Sequence, residues 1–319
     1  MQKKPNPVEA ILQEHGVFIL DGALASELER HGGDLNSFLW SARILIENPN
    51  LIYQVHTDYF KAGADCAITA SYQTSIASLA KFGYTEAEAI AFNQKSVEIA
   101  KQARDDFWEQ GQHTNRPKPL VAGSVGPYGA FHAYGAEYVG HYGVTDEVLA
   151  DFHRKRVEAL VEAGAEILAI ETVPSIQEAK VLAALLEEFP ETYAWLSFTM
   201  KDAEHISEGT PIAECAAVFK DHPQIAAIGI NCSSTGIVTD VIRILKEHTD
   251  KPIIVYPNSG ETFDIPTDKW YGYDPCKAID ANAKAWYDAG ARLIGGCCRT
   301  KPAEIAAIAQ QFRKENVPN

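Results

Sequence analysis

Ala62-Gly63-Ala64-Asp65, running straight into Cys66-Ala67-Ile68-Thr69, joins the end of a helical pattern to a short apolar run. The same junction returns as Ala163-Gly164-Ala165-Glu166 before Ile167-Leu168-Ala169-Ile170-Glu171, and as Ala289-Gly290-Ala291-Arg292 before Leu293-Ile294. Each glycine stands where a helix C-terminus turns through the left-handed region that other residues resist. The junctions recur while the helices between them do not, so the repeated object is a βα step and not a solenoid module. Working outward, five more apolar runs of the same kind are found: Val17-Phe18-Ile19-Leu20-Asp21, Leu120-Val121-Ala122-Gly123-Ser124, Ala194-Trp195-Leu196-Ser197-Phe198, Ile225 to Cys232, and Pro252-Ile253-Ile254-Val255-Tyr256. Near-continuous apolarity marks strands covered on both faces, as in parallel sheets. Eight such units in 319 residues predict an α/β fold, a single (β/α)8 TIM barrel over residues 1–319 with its core in 17–314 and its site at the C-terminal strand ends. A doubly wound sheet is the alternative.

That topology sends the end of every strand to one mouth. Asp21, Thr69, Ser124, Glu171, Asn231 with Cys232, Asn258, and Cys297 with Cys298 all stand at or just past such an end. Singly, each also reads as a cap or turn residue; together they mark a site. In Gly295-Gly296-Cys297-Cys298-Arg299-Thr300 two adjacent cysteines close the eighth run, and Cys232 closes the sixth in the same position. A disulfide between sequence neighbours strains the ring it closes, whereas soft thiolates are preferred zinc ligands in a reduced compartment. Three sulfurs at one sheet edge match a catalytic metal with an open fourth position, since structural zinc takes four protein ligands. The competing reading makes them buried cysteines acting as small hydrophobes.

Bulk properties narrow the function. A hydrophobic fraction of 46% is normal for a globular chain with a sizeable core. The net charge of −15, without any Lys/Arg cluster, argues against nucleic acid and anionic membrane surfaces as partners. No apolar stretch approaches the roughly 20 residues of a membrane span, and the N-terminus lacks a signal-peptide core, so the expected location is cytoplasmic. The six cysteines (66, 215, 232, 276, 297 and 298) lie in or beside core elements of a large chain and are expected to be thiols. There is no His-Glu-x-x-His, no Gly-x-Ser-x-Gly elbow, and no Gly-x-Gly-x-x-Gly after a strand. Two loops are long: residues 126–144 hold five aromatics, and residues 258–274 hold Phe263, Trp270, Tyr271 and Tyr273. Such loops are lids and binding segments, or are anchored on the rim by their aromatics.

The motifs resemble the homocysteine S-methyltransferase family, and specifically its short bacterial and plant-like members that use S-methylmethionine or S-adenosylmethionine. The resemblance is carried by Leu20-Asp21-Gly22-Ala23, Leu39-Trp40-Ser41-Ala42, Ile68-Thr69-Ala70-Ser71-Tyr72-Gln73, Gly123-Ser124-Val125-Gly126-Pro127-Tyr128-Gly129, Glu171-Thr172, Ser207-Glu208-Gly209-Thr210-Pro211, Gly229-Ile230-Asn231-Cys232, Tyr256-Pro257-Asn258-Ser259-Gly260-Glu261 and the paired-cysteine segment. It implies that Cys232, Cys297 and Cys298 bind Zn2+, with the homocysteine sulfur in fourth place. Asp21 and Glu171 match the acidic residues that hold the homocysteine amino group, Trp40 matches a pocket aromatic, and Tyr72 lies near the metal. Asn231 is a substrate-side candidate, and Tyr128 and Tyr138 are candidates for contact with the donor.

The implied chemistry is self-consistent. A free thiol titrates near 8.5 and is only a few per cent thiolate at pH 7, whereas metal coordination removes the proton. Three cysteine thiolates exceed the zinc charge by one, so a fourth bound thiolate stays electron-rich. A sulfonium donor loses its positive charge as the methyl group leaves, and aromatic faces attract such cations. No general base is then required. The alternatives are a betaine-homocysteine or selenocysteine methyltransferase, and a non-catalytic zinc- or thiol-binding barrel.

Overall fold

The computed structural model describes residues 5–34, 41–111, 113, 115–132, 136–264, 269–272 and 274–313. Its strands are β1 (Phe18–Ile19), β2 (Cys66–Ile68), β3 (Leu120–Val125), β4 (Ile167–Val173), β5 (Ala194–Phe198), β6 (Ile225–Asn231), β7 (Ile253–Tyr256), β8 (Thr262–Asp264), β9 (Lys269–Tyr271) and β10 (Ala291–Ile294). Eight of them form one sheet in the order β1-β10-β7-β6-β5-β4-β3-β2, parallel throughout, with helices between successive strands. This is the expected (β/α)8 barrel. β8 and β9 form an antiparallel ribbon inside the second long loop.

Alternation along each strand divides the core into two layers. Phe18, Leu20, Ile167, Ala169, Trp195, Ile254, Tyr256 and Leu293 fill the barrel interior, and Val8 and Ile11 of the helix Pro7–His15 join them. Ile19, Leu168, Ile170, Leu196, Val255 and Ile294 face outward into the shell of helices. The junction glycines do as their sequence implies: Gly63, Gly164 and Gly290 have φ of 106°, 85° and 132°.

The acidic residue after two of these junctions has a further use. Asp65 accepts the Ile19 amide at 2.9 Å and Glu166 accepts the Val121 amide at 2.8 Å, each holding the neighbouring strand. At the seam between β1 and β2, side chains complete the closure. The Asp65 amide donates to the Ile19 carbonyl at 2.7 Å, and the Ile68 amide donates to Asp21 Oδ2 at 2.8 Å. Asp21 therefore helps to close the barrel with one oxygen while standing at its mouth.

Candidate metal centre and substrate pocket

The cysteine turn is fastened to the strands on either side of it. The Cys297 amide donates to the Pro257 carbonyl at 2.7 Å, the Cys298 amide to Asn258 Oδ1 at 3.2 Å, and the Gly296 amide to the Asp21 carbonyl at 3.1 Å. Glycine is required here by proximity: a Cβ at Gly295 would lie 2.5 Å from Leu20 Cβ and 2.8 Å from the Asp21 carbonyl. On the other side, Cys232 follows β6 with a left-handed φ of 44° and donates its amide to the Tyr256 carbonyl at 3.3 Å. The three sulfurs consequently lie within 4.8 Å of one another, with Cys298 at 3.8 Å from Cys232 and 4.0 Å from Cys297.

Here the structure departs from the expectation of six thiols. Cys232 and Cys297 are joined as a disulfide, whereas Cys66, Cys215, Cys276 and Cys298 are free. The physical reason is convergence, because sulfurs brought to a common point are in reach of each other as well as of a metal. Burial, with Glu137 nearby, pushes the Cys298 thiol up to about 12. A cation bound beside it would offset that cost. As thiols, the three converging cysteines could hold a metal ion that favours soft sulfur ligands.

Two carboxylates share the mouth. Asp21 Oδ2 is held by the seam, and Oδ1 is buried without a hydrogen-bond partner. Desolvation, with Glu171 as a nearby like charge, raises the Asp21 carboxyl well above its usual range. Glu171 accepts from Ser124 Oγ at 2.5 Å and from Tyr256 Oη at 3.2 Å, and burial still pushes it up to about 7. Tyr256 is in turn fixed by Ser197 Oγ at 2.6 Å and Trp195 Nε1 at 3.1 Å. Two buried acids, each made costly to ionise by desolvation and Asp21 also by Glu171, are suited to a bound cation.

The next residue, Thr172, has φ of 61°, a strained value for a β-branched side chain. Asn231 holds it from both ends: Oδ1 accepts the Thr172 amide at 2.7 Å and Nδ2 donates to Thr172 Oγ1 at 2.8 Å. Asn231 Oδ1 also accepts from Ser197 at 3.0 Å, and Nδ2 lies 4.0 Å from Cys297 Sγ. Its polar atoms are thus engaged by the protein, between the Glu171 turn and the cysteines.

The near-metal candidate Tyr72 and the donor candidates Tyr128 and Tyr138 separate. Tyr72 is half-buried, hydrogen-bonded to Thr172, and pushed up by desolvation and by Glu137, Tyr138 and Glu171. Tyr138 is pushed up by burial and the nearby Cys298. Tyr128 instead packs edge-on against Tyr142 and Phe152, with ring centroids at 5.2 and 4.9 Å. Trp40 and Tyr273 lie outside the described residues. Sequence reasoning passed over Glu137, whose Oε2 is buried without a partner and whose carboxyl burial raises. It also passed over the hydroxyl of Tyr256, which was readable as a polar group ending an otherwise apolar run.

A barrel whose mouth gathers three cysteines, two desolvated acids and an aromatic loop defines a group-transfer enzyme acting on a thiol-bearing, cationic substrate. Comparison with known proteins gives the particular family. The family model for homocysteine S-methyltransferase matches residues 18–312. The homocysteine S-methyltransferase YbgG of Bacillus subtilis is 55% identical over 309 residues, covering 97% of this chain and 98% of that protein. The solved homocysteine methyltransferase MmuM of Escherichia coli superposes in its metallated form with a TM-score of 0.87 at 46% identity, covering 96% of this chain and 99% of that one. Its oxidized form superposes at 0.88, again at 46% identity, covering 96% and 100%. The chain belongs to the homocysteine S-methyltransferase family and is an enzyme of that activity.

Proposed function

We propose that this enzyme, with Zn2+ as cofactor, transfers a methyl group from a sulfonium donor, S-methylmethionine in preference to S-adenosylmethionine, to the thiol of homocysteine, giving methionine. The observation that carries the reading is the convergence of Cys232, Cys297 and Cys298 beside two desolvated carboxylates. When bound, zinc supplies the charge that keeps a thiol deprotonated and nucleophilic at neutral pH. As thiols, Cys232, Cys297 and Cys298 would hold it. A site of three reduced cysteines fits a cytoplasmic, reducing location, with the barrel as the single domain. Among the described residues no helix is long and apolar enough to cross a membrane.

Asp21 Oδ1 and Glu171 take the homocysteine ammonium, whose single positive charge offsets one of the two carboxylate charges and eases the ionisation of the pair. Asn231 acts as a positioning residue, holding the strained Thr172 turn and hence Glu171 at the distance the ammonium needs. On the donor side, Tyr72 and Tyr138 offer ring faces and Glu137 an unpartnered carboxylate oxygen, a combination that favours a cation. The donor's S–CH3 bond breaks, its electron pair stays on the donor sulfur, and the new S–CH3 bond forms on homocysteine. The leaving thioether is neutral, so no proton donor is needed. The testing experiment measures methionine formation from homocysteine with S-methylmethionine, S-adenosylmethionine, betaine or methyl-folate, alongside zinc content per chain. S-Methylmethionine is expected to be best and betaine poor; betaine as best donor would overturn the sulfonium reading.

A further inference from the structure

We propose that Arg156, His153 and Glu178 form a buried relay that positions the donor side of the mouth, an inference that rests on the reading of that side as the donor site. All three are at most 1% exposed. Arg156 and His153 come from the helix Asp146–Glu162, and Glu178 from the helix Ile176–Leu186. Arg156 Nη2 donates to the Gly126 carbonyl at 2.6 Å and meets His153 Nδ1 at 2.7 Å, while Nη1 donates to the Tyr72 carbonyl at 3.3 Å. A guanidinium has no lone pair to offer, so His153 Nδ1 accepts and the imidazole proton sits on Nε2. Nε2 then donates to Glu178 Oε1 at 2.8 Å, and the same oxygen accepts the Tyr128 amide at 2.5 Å. The tautomer is fixed from both ends, and burial, the dominant influence on His153, favours its neutral form.

The targets of this relay are backbone atoms of the two loops that build the donor side. Tyr72 lies in the loop after β2, and Gly126 and Tyr128 lie in the loop after β3 that continues to Glu137 and Tyr138. The two loops also touch directly, since a Cβ on Gly126 would lie 2.7 Å from Tyr72 Cδ2. One guanidinium therefore sets the roots of both loops, and one carboxylate oxygen sets the amide of Tyr128. Among the described residues none of the three hydrogen-bonds the cysteines, Asp21 or Glu171, and their targets are loop backbone atoms, so the larger effect should fall on the donor.

The test pairs Glu178→Leu with Glu178→Gln, adding Arg156→Met. The glutamine oxygen can still accept from His153 and the Tyr128 amide, and leucine cannot. With the donor that the parent enzyme uses best in the panel above, Glu178→Leu and Arg156→Met should raise donor KM roughly tenfold or more, because small misplacements near the reacting centre carry large penalties. Homocysteine KM should stay within about twofold, zinc per chain should be unchanged, and Glu178→Gln should restore most of the loss. Independently of any donor, hydrogen exchange at the Tyr128 amide should quicken roughly tenfold in Glu178→Leu and not in Glu178→Gln. A lowered Tm with parental donor KM and parental Tyr128 exchange would reduce the relay to a stabilising element and overturn the proposal. So would Glu178→Gln behaving as Glu178→Leu. If Arg156→Met fails to fold, the Glu178 pair decides.

Discussion

The half of the mouth assigned here to the acceptor and the half assigned to the donor are, on that proposal, built in different ways. On the acceptor side every group stands on a strand end or a short turn after one: Asp21 past β1, Glu171 in β4, Cys232 past β6, and Cys297 and Cys298 past β10. Their partners include neighbouring strands, such as the Asp21 carbonyl for Gly296 and Ser124 for Glu171. On the donor side Glu137 and Tyr138 hang from a long loop whose roots are fixed by side chains of two helices. The sheet fixes a thiol where ångström errors would be costly, and the loop decides what is brought to it. Acceptor-side substitutions should therefore be severe and donor-independent, and donor-side ones milder and donor-specific.

The largest effect is expected from Cys298→Ala, which removes one of three ligands. Activity should be lost with every donor and zinc should no longer be retained in the reduced protein, while circular dichroism still reports the barrel. Next come Asp21→Asn and Glu171→Gln. Breaking a buried charge pair costs about 3–5 kcal/mol, so kcat/KM for homocysteine should fall by about two to three orders of magnitude with zinc retained. Asp21→Asn should in addition lower Tm, since Asp21 also closes the barrel seam.

Glu171 also gives the acceptor half a pH signature. It faces Asp21, Cys66, Tyr72, Tyr256 and Cys298, and it holds its proton up to about 7 where an ordinary glutamate releases it near 4.5. Below pH 7 the free enzyme lacks this carboxylate, so kcat/KM for homocysteine should drop about tenfold per pH unit, and the drop should be absent in Glu171→Gln. Because the folded state binds this proton more tightly than the unfolded state, the residue's contribution to stability is full below 4.5 and declines as pH rises to 7. At pH 8, without substrate, Glu171→Gln should accordingly melt above the parent.

Smaller effects test the donor half. Glu137→Gln should raise the KM of a sulfonium donor several-fold and leave homocysteine KM unchanged; equal effects on both substrates would place Glu137 outside the donor site. Smallest is the contrast between Tyr138→Ala and Tyr128→Ala. An aromatic face over a cation is worth about 0.5–2 kcal/mol, so Tyr138→Ala should slow donor use several-fold. Tyr128→Ala should act only through loop order, because its ring packs on Tyr142 and Phe152. A reversed order would place Tyr128, and not Tyr138, in contact with the donor.

The sequence exposes what the sheet controls. Ala-Gly-Ala junctions and apolar runs locate the strands, a known topology then locates their ends, and polar residues such as Glu171 and Cys232 fall into one ring. Contacts made by loops and by helix side chains leave no such trace. Tyr128 and Tyr138 look alike in sequence, yet one packs beside Phe152 and the other near Cys298. Arg156 and His153 read as an ordinary i,i+3 pair on an amphipathic helix, and nothing links them to Glu178 until the barrel closes. Asn231 and Asp21 were legible as mouth residues, but not the bonds that hold them, to Thr172 and to the Ile68 amide. The Cys232–Cys297 disulfide was hidden by the same convergence that marks the metal site, because spacing alone does not say whether neighbouring sulfurs share a metal or a bond.

The most direct test is X-ray absorption at the zinc edge of the reduced, zinc-loaded enzyme, recorded with and without homocysteine. Three sulfur neighbours and one lighter ligand are expected before addition, and four sulfurs after it, with the fourth absent in the Asp21→Asn, Glu171→Gln double variant at the same homocysteine concentration. A coordination shell that does not change when homocysteine is added, or zinc that remains bound with the same three sulfurs in Cys298→Ala, would contradict the account.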